Sequence, residues 1–161
     1  MALSFRFAQE TDTLLILQFI RELADYEHLL DQVVADEATL RDQLIEKRRA
    51  EVLFALEDGA EVGFALFFHN FSTFLGRAGI YLEDLFVLPE ERGKGYGEAL
   101  LRELAEPMGI AVTALEPVTW KGETVSSSRI RRCLLEGDTE LAGELLGTPY
   151  AVCGKAVRRG E

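Results

Sequence analysis

The sequence predicts an α+β domain in which a mixed sheet is flanked by helices. Three observations carry this reading. Short apolar runs fill much of the first ninety residues, stretches with helical spacing lie between them, and a glycine-rich turn joins a strand to a helix. A chain of 161 residues suits one sizeable core, and 48% apolar residues with only four prolines place it among folded proteins. No repeat and no linker rich in Pro, Gly or Ser divides it.

Ser4 to Phe7 reads as the first strand. Thr11 or Asp12 then caps a helix whose apolar positions Ile16, Phe19, Ile20 and Leu23 follow i, i+3, i+4, i+7. Asp36-Glu37 opens a second helix with Leu40 and Leu44 on one face. Val52 to Leu56 and Val62 to Phe68 flank Glu57 to Glu61, with Gly59 at the turn, and so form a hairpin. Ala78 to Leu88 is a further strand, stopped by Pro89. After the glycine-rich turn, a helix from about Gly97 to Glu106 buries Leu100, Leu101 and Leu104. Ile110 to Leu115 reads as a strand and Thr119 to Glu123 as a loop. Two helices follow, Ser128–Glu136 and Thr139–Leu146, with Gly137-Asp138 as stop and cap. Ala151 to Val157 reads as a last strand.

The formal net charge is −11 and it is uneven. Residues 1–105 hold 10 of the 17 basic residues but 20 of the 28 acidic ones. Such a front half repels nucleic acid and suits a cationic amine, although ordinary solubility accounts for the same charge. No apolar stretch approaches the roughly 20 residues that span a bilayer, and MALSFRFAQE shows no basic n-region followed by an apolar run, so it is not expected to act as a leader. The expectation is a cytoplasmic protein without membrane or nucleic-acid partners. Cys133 and Cys153 stand in no CxxC or Cys/His spacing, so they read as reduced structural thiols with no metal site.

Two stretches carry chemistry. In the first, Arg92-Gly93-Lys94-Gly95-Tyr96-Gly97 lies between a strand and a helix. Glycines there permit positive φ and close ligand approach, and the helix start offers unpaired N–H groups to a pyrophosphate. The segment resembles the acetyl-CoA loop of the GNAT N-acetyltransferases, Arg/Gln-x-x-Gly-x-Gly/Ala, with Arg92, Gly95 and Gly97 at the marked positions. With RELADYEHLLDQV, GFALFFHNFSTF and IYLEDLFVLPEERGKGYG, residues 1–105 resemble the diamine (spermidine/spermine, thialysine) branch.

That resemblance implies a GNAT-like fold and direct transfer from acetyl-CoA to a small cationic amine. It implies that Gly93, Lys94, Gly95, Tyr96, Gly97 and Glu98 hold the pyrophosphate, with Arg92 opening the loop. Backbone N–H at Phe86 or Val87 would polarise the thioester carbonyl. Glu83 would take the amine proton, and Glu27 and Asp84 would bind the cationic substrate. It is open to pairing as a homodimer. Read as residues alone, Glu83 serves equally as a strand-edge carboxylate paired with arginine, and Glu27 as a solvated helix end. His28 and His69 read as surface histidines.

The second stretch, GETVSSSRIRRCLLEGDTELAGELLGTPYAVCGKAV, resembles the adenylyltransferase part of bifunctional riboflavin kinase/FAD synthetases over about residues 107–159. Its motif is Ser126, Ser127, Ser128, Ile130 and Arg131, which implies ATP phosphates at a helix start as the alternative ligand. Without the resemblance, Ser127 is an N-cap. The family's histidine motif is absent. The two resemblances meet between Gly97 and Gly109 and make the chain an apparent chimera, residues 1–105 and 106–161, packed as one domain with a non-GNAT helical C-terminal segment. The diamine branch continues after its loop helix into a helix whose tyrosine protonates the CoA thiolate, and that segment is replaced here. Tyr150 stands in another context.

Overall fold

A computed structural model describes residues 2–154 as parts of two compact units, Met1–Thr113 and Ala114–Glu161. The first unit is built on a four-stranded sheet in the order β1 (Leu3–Phe7), β2 (Glu51–Glu57), β3 (Ala60–Ser72), β4 (Arg77–Val87). Every neighbouring pair is antiparallel, so the expected mixed sheet is corrected to an antiparallel one. The difference lies at Ile110–Leu115, which takes no strand or helix conformation; Leu115 is 88% exposed. An apolar run holds an extended form only where a sheet edge pairs with it, and no described strand does so.

The remaining strands follow their side-chain period. Val52, Phe54 and Leu56 face one side of the sheet and Leu53 and Ala55 the other, and all five are buried. Both faces are therefore covered, which explains why the strands read as continuous apolar runs. Asp58 and Gly59, at φ 50° and 91°, make the two-residue turn between β2 and β3. β3 runs on to Ser72, past its expected end, because Phe68 to Ser72 pair with Arg77 to Tyr81 despite their polar content.

Helix α1 (Thr13–Tyr26) lays Ile16, Leu17 and Phe19 on one face. The Phe19 ring sits 5.8, 5.3 and 6.5 Å from those of Phe54, Phe64 and Phe86. Each buried aromatic contributes about 1.5–3 kcal/mol of transfer free energy. Asp36 caps the short α2 (Glu37–Leu40) by accepting from Thr39 N–H at 2.8 Å, and the chain continues as a wider π-helical turn to Glu46. On the opposite face, α3 (Tyr96–Ala105) buries Leu100 and Leu104, while Leu101 is only half-buried. Arg6 ties β1 to both Asp12 (2.6 Å) and Glu61 (2.7 Å), and this pairing holds the Asp12 carboxyl below its usual range.

In the second unit, β5 (Thr119–Trp120) and β6 (Glu123–Thr124) form a minimal hairpin where a loop was expected, turning at Lys121 and Gly122, both at positive φ. Helices α4 (Ser127–Glu136) and α5 (Thr139–Leu146) pack through Cys133, Ala142 and Leu145. Residues 151–154 are irregular, and the rest of the expected last strand lies outside the described residues. No described helix is long and apolar enough to cross a membrane.

Candidate functional site

Strand β4 forms an edge of the sheet and carries four of the expected site residues, Glu83, Asp84, Phe86 and Val87. Its pairing with β3 contains a register shift: Leu66 opposes Asp84 and Phe67 opposes Leu82, which leaves Glu83 as the extra residue of a β-bulge. The bulge reverses the side-chain parity of the strand. Leu85 and Val87 pack on the α3 side, and beyond the bulge Leu82 and Ile80 do so as well, where strict alternation would have turned them to the other face. Glu83 is exposed, and the half-buried Asp84 follows it directly.

Asp84 shares the parity of Phe86, whose ring is buried against α1. Burial, followed by the negative charges of Glu83 and Glu27, pushes the Asp84 carboxyl above its ordinary value. The structure thus brings Glu27, Glu83 and Asp84 into one electrostatic neighbourhood. The folded state binds the Asp84 proton more tightly than the unfolded chain, so ionisation of Asp84 costs stability as pH rises through its window. Asp84→Asn is therefore expected to raise Tm at pH 7. The gain should vanish below about pH 4, where the aspartate is protonated in both states; thermal melts at the two pH values check this.

Past β4 the chain turns sharply. Leu88 N–H donates inward to Val62 O at 2.9 Å. In an antiparallel ladder the next amide faces the other way, so the Val87 N–H points off the sheet edge and that of Phe86 points toward β3. Of the two amides expected near a thioester carbonyl, the outward one is Val87, and Phe86 supplies a ring instead. Arg92 Nε donates to Val87 O at 3.0 Å, and its guanidinium lies 4.0 Å from the centre of the Tyr26 ring and 5.4 Å from that of Phe86.

Gly93 and Gly95 hold φ of 79° and 84°, which a side chain resists, and an added Cβ at either would meet nothing within 4 Å. Gly95 O accepts the first helical bond, from Ala99 N–H, at 3.0 Å. The amides of Tyr96, Gly97 and Glu98 are therefore left without helical partners, at the positive end of the dipole. Glu98 pairs with Arg102 one turn on (2.7 Å).

The remaining loop side chains are committed to the protein. Lys94 Nζ reaches Glu57 at 2.8 Å and Glu91 at 2.5 Å, and the Tyr96 hydroxyl donates to Glu57 at 2.5 Å. Lys94, and then Tyr96, hold the Glu57 carboxyl down at about 2, and the two carboxylates raise Lys94 further. Lys94 and Tyr96 thus anchor the loop, and the groups at its mouth without a partner among the described residues are backbone amides and the outer nitrogens of Arg92. Glu57 and Tyr26 were invisible as site residues in the sequence. Glu57 reads there as the start of a turn, and Tyr26 as one more position in the first helix.

Ser126, not the expected Ser127, caps α4 by accepting from Arg129 N–H at 3.2 Å, and Ser127 is the first residue of the helix. Ser127, Ser128 and Arg131 are exposed. The arginine that organises this unit is Arg129. It donates to the carbonyls of Trp120, Glu123 and Thr124 at 3.1–3.4 Å and pairs with the Glu123 carboxylate at 3.0 Å. Among the described residues no cluster of His, Cys, Asp or Glu could hold a metal ion.

Comparison with known proteins accounts for the first unit. The chain is 41% identical over 110 residues to a thialysine N-epsilon-acetyltransferase of Bos taurus, a match covering 63% of this chain and 64% of that protein. The match therefore spans a little less than two thirds of that relative. A 60-residue stretch is 35% identical to a bifunctional riboflavin kinase/FMN adenylyltransferase of Buchnera aphidicola, covering 37% of this chain and 19% of that one. The crystal structure of an aminoglycoside acetyltransferase from an uncultured soil metagenomic sample superposes with a TM-score of 0.57 at 21% identity, over 99% of this chain and all of the other. Residues 16–109, which include most of α1, the sheet from β2 to β4, the bulge and the glycine loop, match the acetyltransferase (GNAT) family, and the chain belongs to it.

Proposed function

We propose that this protein transfers an acetyl group from acetyl-CoA directly to the amine of a small cationic acceptor. The observation that carries this reading is the placement of two complementary sites on one strand. The carboxylates of Glu83 and Asp84 stand within four residues of the outward Val87 amide, and the open amides of Tyr96, Gly97 and Glu98 follow the turn.

The CoA pyrophosphate lies on those amides and on Arg92. The pantetheine arm runs along the free edge of β4, where the Val87 N–H donates to the thioester oxygen and stabilises the negative charge of the tetrahedral intermediate. Glu27 and Asp84 hold the ammonium form of the acceptor, and Glu83 removes one proton so that the nitrogen lone pair can attack. The N–C bond forms, the attacking nitrogen gives up a second proton to solvent, the C–S bond breaks, and CoA leaves as a thiolate that solvent protonates. A thiol with an ordinary value near 8.5 needs no dedicated acid to depart, though a positioned acid would quicken it.

Two measurements test this. Acetyl-CoA should raise Tm by mass action and ATP should not. Adding thialysine, ornithine or spermidine, the amines in the names of similar proteins, should then release free thiol. Stabilisation by ATP alone would replace this reading with nucleotide binding at Ser126, Ser127, Ser128 and Arg131. Acetyl-CoA binding without thiol release from any amine would leave a binding protein. Sedimentation of the same sample reads whether it forms the homodimer that its family suggests.

A further inference from the structure

We infer that Tyr26 is a positioning residue for the acetyl-CoA loop, holding the Arg92 guanidinium in the orientation that meets the pyrophosphate. The inference rests on the proposal above that this loop receives CoA. Arg92 is fixed at three points. Its Nε donates to Val87 O at 3.0 Å, and its Cζ lies 4.0 Å from the Tyr26 ring centre and 5.4 Å from that of Phe86. These contacts occupy Nε and the π-surface. They leave Nη1 and Nη2 without a partner among the described residues, and that pair is the fork that matches two phosphate oxygens.

Apart from Arg92, the Tyr26 ring has one aromatic neighbour, the buried Phe86 ring 6.5 Å away. Tyr26 ends α1, the residue is 58% exposed, and its hydroxyl makes no hydrogen bond among the described residues. The ring is too exposed to matter greatly to the core, yet it gives Arg92 its closest aromatic contact. An exposed arginine without that partner samples many rotamers, and ordering it on ligand binding weakens affinity. Position 26 also adjoins Glu27, so the first helix supplies one residue to each half of the site.

Titration of the full chain with CoA and with S-acetylpantetheine, which lacks the pyrophosphate, tests this. Tyr26→Leu is expected to raise the Kd for CoA about five- to tenfold. The Kd for S-acetylpantetheine and the Tm should stay unchanged. Tyr26→Phe keeps the ring and should bind CoA within about twofold of the parent. The dependence of CoA affinity on salt should also flatten in the leucine variant, because a charge contact is loosened. Equal CoA affinity in parent and leucine variant, or equal losses for both ligands, would overturn the role of Tyr26 and leave the loop assignment standing. Failure of the parent protein to bind CoA would overturn the loop assignment and this inference with it.

Discussion

Glu83→Gln is expected to lower kcat for amine acetylation by about 10²–10⁴ while leaving the Kd for acetyl-CoA unchanged. Glutamine keeps the shape and hydrogen-bonding reach of the side chain but cannot accept a proton at neutral pH. Glu83 is exposed and forms no ion pair among the described residues, so the fold should not register the change. The neighbouring carboxylates provide the contrast. Glu27→Gln and Asp84→Asn remove charge from the acceptor site and should raise KM for the amine more than they lower kcat. Asp84 also has a property of a base: burial, and then the charges of Glu83 and Glu27, hold its proton more tightly. Steady-state kinetics on the three variants therefore assign the roles. A kcat collapse in Asp84→Asn with Glu83→Gln near the parent would exchange them. A uniform small effect in all three would remove acid–base chemistry from this cluster.

The fold of the first unit was largely legible because its elements satisfy local rules. The helical spacing from Ile16 to Leu23, the Asp58-Gly59 turn and the Pro89 stop each act within a few residues. What escaped depends on partners distant in sequence. The bulge at Glu83 is set by registry with Leu66 and Phe67, so Leu82-Glu83-Asp84-Leu85 cannot reveal which side chains change face. Ile110–Leu115 has the composition of a strand, but its conformation depends on a pairing edge that no described residue offers it. The same limit applied to the site. The loop motif was readable from its glycines, whereas the Glu57 anchor lies 37 residues from Lys94 and the Tyr26 stack crosses from the first helix. In the second unit, the serines announced a helix start, which formed. Nothing local indicated that Arg129 rather than Arg131 would be the structural arginine, since that choice follows from the three carbonyls of the β5–β6 hairpin.

Gly95→Asp should reduce acetyl-CoA affinity by at least about 10² without unfolding the protein, as read by calorimetric titration beside a thermal melt. Two costs need separating. Position 95 holds φ of 84°, and a non-glycine residue there costs roughly 1–2 kcal/mol of stability. No atom lies within 4 Å of an added Cβ, so the fold absorbs the side chain without a clash. The larger cost falls on the ligand. A carboxylate at this position stands before the unpaired amides of Tyr96, Gly97 and Glu98, satisfies some of them itself and repels the pyrophosphate. At an effective dielectric near 20, two unit charges about 4 Å apart interact by about 4 kcal/mol, and about 3 kcal/mol of that suffices for a hundredfold loss. Gly95→Ala carries the backbone strain without the charge and should weaken binding far less. Gly97→Ala should do neither: its Cβ would meet Leu85 and Val87 at 3.8 and 4.0 Å, ordinary contact distances, and alanine favours the helix. Loss of affinity graded Asp, then Ala, then wild type at position 95 would place the ligand's negative charge at this helix start. Parent-like binding by Gly95→Asp would instead move the CoA site elsewhere, although the strand, bulge and turn would remain as they are.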